Sequence, residues 1–250
     1  MQRREFLKVS AAAGVALVAC SDGTEPQVTL ESATITARPR AFSGVAPRGF
    51  HRFGIWHKDD AFLYVPPSYR DDTPAPLLIL LHGSGGHASN FEASLPSHVD
   101  SRGIVTLAFD STLPTWDLIG LGGFGPDPER MNIALNYAFS KFNCDPAHIA
   151  LAGFSDGGTY AISVGLANGD LFRQVIGFSA GPPQVPGVRG KPPVFMSHGT
   201  SDPVIKISIA NNTKAQLVDA GYSVTFVEFA GGHQVPAAIA DQAYDWFLAQ

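Results

Sequence analysis

The chain has 250 residues, of which 45% are hydrophobic and only 16% charged, with a formal net charge of -5. That apolar content excludes intrinsic disorder, which goes with the opposite bias, and a weakly acidic chain with no Lys/Arg stripe is not built for nucleic acid. Its 26 Gly and 19 Pro follow no Gly-X-Y period, which excludes collagen, and two cysteines cannot staple a disulfide scaffold.

The first element in chain order is an address. Arg3, Arg4 and Lys8 precede an apolar run from Val9 to Ala19, followed by Cys20. A basic head ahead of a short apolar run reads as an export signal, and the run falls well short of the roughly 20 residues needed to cross a bilayer. Arg3-Arg4-Glu5-Phe6-Leu7-Lys8 resembles a bacterial twin-arginine signal, and Leu17-Val18-Ala19-Cys20 resembles a lipoprotein cleavage box. The resemblance implies a lipid anchor on Cys20 and a periplasmic or cell-surface location on a membrane; a plain cleaved signal is the alternative. Residues 1–19 are therefore expected to be the signal. Residues 20–47, polar and weakly periodic, are expected to form a flexible tether with room for a strand near its end, and residues 48–250 one folded domain.

From His51 onward, apolar runs alternate with helix-length segments. Strands are predicted at Phe62–Val65, Leu77–Leu81, Ile104–Phe109, His148–Ala152, Gln174–Ser179, Val194–Ser197 and Val224–Phe229. Helices are predicted at Glu129–Phe142, from the turn after Ala152 to about Asn168, at Ile205–Ala220 and at Ala237–Ala249. Continuous apolar strands separated by helices predict an α/β fold with a mostly parallel sheet covered on both faces. Ligands of such sheets bind beyond the carboxyl ends of the strands.

Gly153-Phe154-Ser155-Asp156-Gly157-Gly158 follows one predicted strand directly and opens a helix. A Gly-x-Ser-x-Gly turn in that setting holds its serine in a strained conformation and needs the flanking glycines for room. It makes Ser155 the candidate nucleophile; a Gly-rich turn with a capping serine is the plainer reading. A serine hydroxyl needs a base, and in this turn's usual setting the chain order is Ser, acid, His. Only His198 and His233 follow Ser155. No acid after a later strand lies between Ser155 and His198, whereas Asp202, in the loop after Val194–Ser197, precedes His233, in the loop after Phe229. His233 is thus the candidate general base and Asp202 its orienting acid. The two amides able to hold a developing oxyanion are expected from Asp156, next to the nucleophile, and from Ser84 in His82-Gly83-Ser84-Gly85-Gly86, with Gly85 as the second choice. Neither His82 nor His87 has a partner at metal-ligand spacing, so no metal site is expected.

Taken together, His82-Gly83-Ser84-Gly85-Gly86, the turn at Ser155, His198-Gly199-Thr200-Ser201-Asp202-Pro203 and Gly231-Gly232-His233 resemble the α/β-hydrolase superfamily from about Arg48 to the C-terminus. Their wording is similar to its small esterase branch, which includes polyhydroxybutyrate depolymerase-like and feruloyl or carboxylesterase-type proteins. The chain lacks the Cys near Ser84 and the further disulfides that depolymerase-like relatives often carry. The resemblance implies cofactor-free hydrolysis of a small-molecule or polymer-derived carboxylic ester, with no large cap domain. A serine peptidase or amidase of the same fold and a silent binding module are the competing readings.

The long connection Ser111–Arg130 is expected either to form an apolar wall or partial lid over the substrate or simply to cover the core with its apolar side chains. Trp116 and Phe124 are its candidate substrate-contacting residues, joined by His82, which is also expected to buttress its own loop. Phe154 is expected to pack beneath the turn at Ser155. Activity is expected to fall at acidic pH as His233 takes up a proton.

Overall fold

A run such as Leu77-Leu78-Ile79-Leu80-Leu81 has no polar side to turn to water, so it is stable only with both faces covered. In the computed structural model, which describes residues 26–250, it forms the centre of an eight-stranded sheet. The strands are β1 (Gly49–Phe53), β2 (Ala61–Val65), β3 (Ala75–Leu81), β4 (Val105–Phe109), β5 (Cys144–Phe154), β6 (Gln174–Phe178), β7 (Val194–Gly199) and β8 (Val224–Phe229). Their order is β1-β2-β4-β3-β5-β6-β7-β8. β2 runs antiparallel to both β1 and β4, and every other pairing is parallel.

The helices are α1 (Leu95–Val99), α2 (Asp117–Gly120), α3 (Asp127–Phe139), α4 (Asp156–Ala167), α5 (Ile207–Asp219) and α6 (Ala237–Leu248). Side chains alternate across a strand, and β3 shows the result. Leu77, Ile79 and Leu81 join Ala134, Leu135 and Tyr160 of α3 and α4. Leu78 and Leu80 join Val99 of α1 and Ala243 and Phe247 of α6. From β3 the chain moves outward to β4 and then returns past β3 to β5, so the carboxyl ends of β3 and β5 flank the switch point where such sheets bind ligands.

The predicted strands and helices all have counterparts in the sheet and its layers, with shifted ends. β5 begins four residues earlier than its apolar run, because Cys144 pairs with Ala75 beyond a register shift. β1, α1 and α2 had no counterpart among the predicted elements from His51 onward, apart from the strand allowed near the end of the tether.

The flexible tether is corrected for its described part. From Pro26 onward the segment lies on the body of the protein. Ala33, Ile35, Ala37 and Ala46 are buried, and Gln27 bridges to Phe124. The Ile35 amide donates to Asn168 Oδ1 at 2.8 Å while Asn168 Nδ2 donates to the Ala33 carbonyl, and Asn132 Oδ1 accepts the Thr36 and Ala37 amides. Three small or branched apolar residues at every second position pack as a strand would, and two asparagine side chains satisfy the backbone that no neighbouring strand pairs. The expected signal at 1–19, the anchor at Cys20 and the start of the tether lie outside the described residues. No helix among the described residues is long and apolar enough to cross a membrane.

Candidate active site

The turn from β5 into α4 is built by steric necessity. Ser155 sits at φ 56 and ψ -120, a region that costs a non-glycine residue about 1–3 kcal/mol. Its amide donates to the Phe178 carbonyl at 2.9 Å, which ties the strained residue to the end of β6. A Cβ on Gly153 would lie 2.2 Å from the Gly157 carbonyl oxygen, and one on Gly157 would lie 2.3 Å from that of Leu81. Glycine is therefore required on both sides of Ser155.

Two loops supply its partners. The loop after β7 carries Asp202 and the loop after β8 carries His233. Backbone bonds join them: Thr200 N–H to the Phe229 carbonyl and Ser201 N–H to that of Gly231, each at 2.9 Å. A Cβ on Gly199 would lie 2.3 Å from the Gly232 oxygen, so the close approach needs a glycine there too. The Ser155 hydroxyl donates to His233 Nε2 at 2.8 Å, and His233 Nδ1 donates to Asp202 Oδ2 at 2.7 Å. The tautomer follows from the acid, since an ionised carboxylate only accepts. Asp202 Oδ1 accepts the Val204 and Ile205 amides at 2.8 and 2.9 Å. Burial alone would raise the Asp202 pKa, but these bonds and the His233 imidazole outweigh it and hold the carboxyl below its ordinary range. Phe154 packs against the His233 ring, 4.8 Å between centroids, and so supports the base as well as the turn.

His198, the other histidine after Ser155, is fully buried. Its Nε2 donates to the Ile205 carbonyl at 2.7 Å and lies 3.3 Å from Asp202 Oδ2, so it braces the Asp202 loop away from Ser155.

The loop after β3 approaches from the other side, where a Cβ on Gly83 would stand 3.3 Å from that of Ser155. The Gly85 amide is already spent on the Pro114 carbonyl at 2.6 Å, and that of Gly86 on Gly83. The Ser84 amide makes no hydrogen bond among the described residues. Asp156 is the first residue of α4, so its amide has no helical acceptor. The Asp156 amide adjoins the nucleophile at the positive end of the α4 dipole, and the Ser84 amide follows Gly83, the residue that approaches Ser155.

The segment expected to wall the substrate does something else. Trp116 is fully buried and Phe124 nearly so. Trp116 stacks on Tyr160 at 5.0 Å, and its Nε1 donates to the His82 carbonyl at 2.9 Å. Both therefore serve as core and bracing side chains, which corrects their expected contact with substrate. His82 is also buried: its Nδ1 donates to the Gly83 carbonyl at 2.8 Å and its Nε2 accepts the Ser111 amide at 3.0 Å. Burial lowers its pKa and keeps it neutral, so it is a buttress with no face left for a ligand.

Sequence reasoning missed the cause, which is a buried pair of acids. Asp127 Oδ1 accepts the Thr112 amide and hydroxyl and its Oδ2 accepts the Asp117 amide, while Asp117 Oδ2 accepts the Gly125 and Asp127 amides. These bonds curl the segment inward and leave Leu113, Ile119 and Leu121 as its exposed apolar side chains. The only signal in the sequence was two aspartates ten residues apart in an otherwise apolar, Gly-rich stretch. Among the described residues no group of three or more His, Cys, Asp or Glu side chains could hold a metal ion.

Comparison with known proteins agrees with this architecture. Residues 133–247 match the family model described as phospholipase/carboxylesterase. The chain is 29% identical over 122 residues to an acetylxylan esterase of Coprinopsis cinerea, covering 45% of this chain and 32% of that protein. It is 27% identical over 139 residues to the putative esterase NocK of Nocardia uniformis, covering 52% and 40%. The alignments thus span well under half the length of these curated relatives. The crystal structure of the Bacillus cereus carboxylesterase superposes with a TM-score of 0.58 at 23% identity, over 76% of this chain and 93% of that one. The chain has the α/β-hydrolase fold, and no large cap interrupts the sheet among the described residues.

Proposed function

We propose that the protein is a serine hydrolase that cleaves carboxylic esters through an acyl-enzyme on Ser155. The observation that carries this reading is the unbroken run of hydrogen bonds from Ser155 through His233 to Asp202, at 2.8 and 2.7 Å. The family match and the esterase relatives support the ester as the bond attacked.

Ser155 Oγ attacks the ester carbonyl while His233 Nε2 takes its proton. The charge that develops on the carbonyl oxygen is held by the Ser84 and Asp156 amides, donors whose loss typically costs about 2.7–4 kcal/mol. His233 then hands the proton to the departing alcohol. Water, activated by the same imidazole, releases the acid and restores Ser155. Asp202 stays ionised throughout, holding the ring in the right tautomer and stabilising the imidazolium. The braced loop after β3 keeps the Ser84 amide, and the start of α4 the Asp156 amide, in place before substrate arrives, so little reorganisation is left for the reaction itself.

Hydrolysis of p-nitrophenyl acetate tests the reading. The Ser155→Ala variant should fold like its parent and lose about 10⁴-fold or more in kcat. A folded variant that keeps its turnover would remove Ser155 from the chemistry, and faster turnover of peptide amides than of esters would replace the esterase with a peptidase. The N-terminal pattern supports export and a lipid anchor at Cys20. A Cys20→Ala chain that still fractionates with membranes would argue against the anchor.

A further inference from the structure

A second concave site borders the loop after β3. It is a cavity of about 340 Å³ walled by Gly85 and Gly86, by Ser111 to Pro114 and by His57, His87, Asp110 and Arg130. Gly85 and Gly86 belong to the same loop as Gly83, where an added Cβ would stand 3.3 Å from that of Ser155, so the cavity borders the loop that faces the nucleophile. The volume is near the lower end of ligand cavities, roughly 300–1,000 Å³.

Its charges are already spent on one another. Arg130 is fully buried, with Nη2 on Asp60 at 2.7 Å and Nε on the Asp110 carbonyl at 3.0 Å. The Asp110 carboxylate accepts His87 Nδ1 at 2.8 Å and the Ala88 amide at 2.7 Å. No cation is left for a carboxylate or phosphate, and no anion for an amine. Ser111 and Thr112 hydroxyls are likewise occupied, by the Leu113 carbonyl and Asp127.

Two groups remain. The His57 ring makes no hydrogen bond among the described residues and is exposed. His87, with Nδ1 held by Asp110, must present Nε2 outward, and its side chain is 65% exposed. Trp56 lies outside the cavity wall but precedes His57 in the chain; it is 42% exposed, and its ring stacks with the Arg130 guanidinium at 4.7 Å. Ring nitrogens able to hydrogen-bond, next to a part-exposed indole, suit a ligand that is hydroxylated and flat on one side. An alkyl chain would meet only Leu113 and Pro114 as apolar wall.

We propose that this cavity seats the sugar ring of a carbohydrate ester, with His57 and His87 bonding its hydroxyls and Trp56 stacking on it. The proposal rests on ester hydrolysis at Ser155 and names the alcohol side of that substrate. Kinetics with the monoester 6-O-acetylglucose, which keeps its other hydroxyls free, and with p-nitrophenyl acetate, run side by side, test it. His57→Ala, His87→Gln and Trp56→Ala should each raise KM for the sugar acetate about three- to tenfold, the worth of one neutral contact. Their kcat, and every constant for p-nitrophenyl acetate, should stay within about twofold. Equal losses on both substrates, unchanged sugar kinetics in all three variants, or a parent enzyme that turns over only p-nitrophenyl acetate would overturn the sugar site and leave the esterase standing. A parent that hydrolyses neither ester would overturn the esterase reading and this one with it.

Discussion

Asp202, in the loop after β7, and Asp117, at the start of α2, are both buried carboxylates beyond the same edge of the sheet. Burial pushes the pKa of each upward, yet the outcomes are opposite. At Asp202, bonds from His233 and from the Ile205 and Val204 amides win, and the acid is held below its ordinary range. At Asp117, burial and the neighbouring Asp127 carboxylate win over the amides of Asp127, Gly125 and Leu118, and the pKa rises to about 6. The deciding difference is an imidazole. Asp202 faces a group able to carry positive charge during a reaction, while Asp117 faces backbone, the Tyr160 phenol and a second acid, none of them cationic. One loop holds a charge ready for chemistry, and the other uses its acids to hold a chain in shape.

Substitution should separate the two roles. Asp202→Asn leaves the size of the side chain unchanged but favours the wrong His233 tautomer, and kcat should fall about 10⁴-fold. Asp117→Asn should cost less than about tenfold, since no reacting atom touches it. Comparable losses in the two variants would erase the distinction.

Stability against pH gives the next largest effect, with opposite signs. A folded-state pKa raised above 3.8 means that the Asp117 contribution is fully present below that value and is lost as pH rises through about 6. The lowered Asp202 pKa does the reverse: its contribution is present above the ordinary carboxylate value and is lost as pH falls below it. Urea midpoints between pH 4 and 7 should therefore move in favour of Asp117→Asn relative to the parent, by up to about 3 kcal/mol. A difference independent of pH would show that Asp117 is ionised at both ends of the range.

The smallest effect is expected from Trp116→Phe. It removes the bond to the His82 carbonyl and keeps most of the packing on Tyr160. Loosened donor amides should lower kcat about three- to tenfold with KM little changed. A rise in KM alone would return Trp116 to the substrate wall.

The contrast between the two loops also marks how far the sequence could be read. The turn at Ser155 was legible because its demands are local: a strand, two glycines and a helix within a dozen residues. Asp202 and His233 were legible because each follows a parallel strand and so emerges at a known edge. The inward fold of Trp116 and Phe124 was not, because it depends on Asp117 and Asp127 bonding backbone that approaches only in the folded chain. The docking of Ala33, Ile35 and Ala37 was hidden in the same way, since its partners, Asn168 and Asn132, lie about a hundred residues or more downstream. Strand order was beyond reach because apolar runs carry no record of their neighbours. The spent Gly85 amide, which leaves the Ser84 amide as the unbonded one of the two, became visible only once Pro114 was seen against it.

The central claim, that His233 makes Ser155 a nucleophile, is tested most directly by labelling with a fluorophosphonate and mapping the adduct by mass spectrometry. The account predicts a single modified peptide carrying Ser155, formed in step with the loss of ester turnover, and negligible labelling of His233→Ala over the same interval. An adduct on another residue, or turnover that survives complete labelling of Ser155, would contradict it.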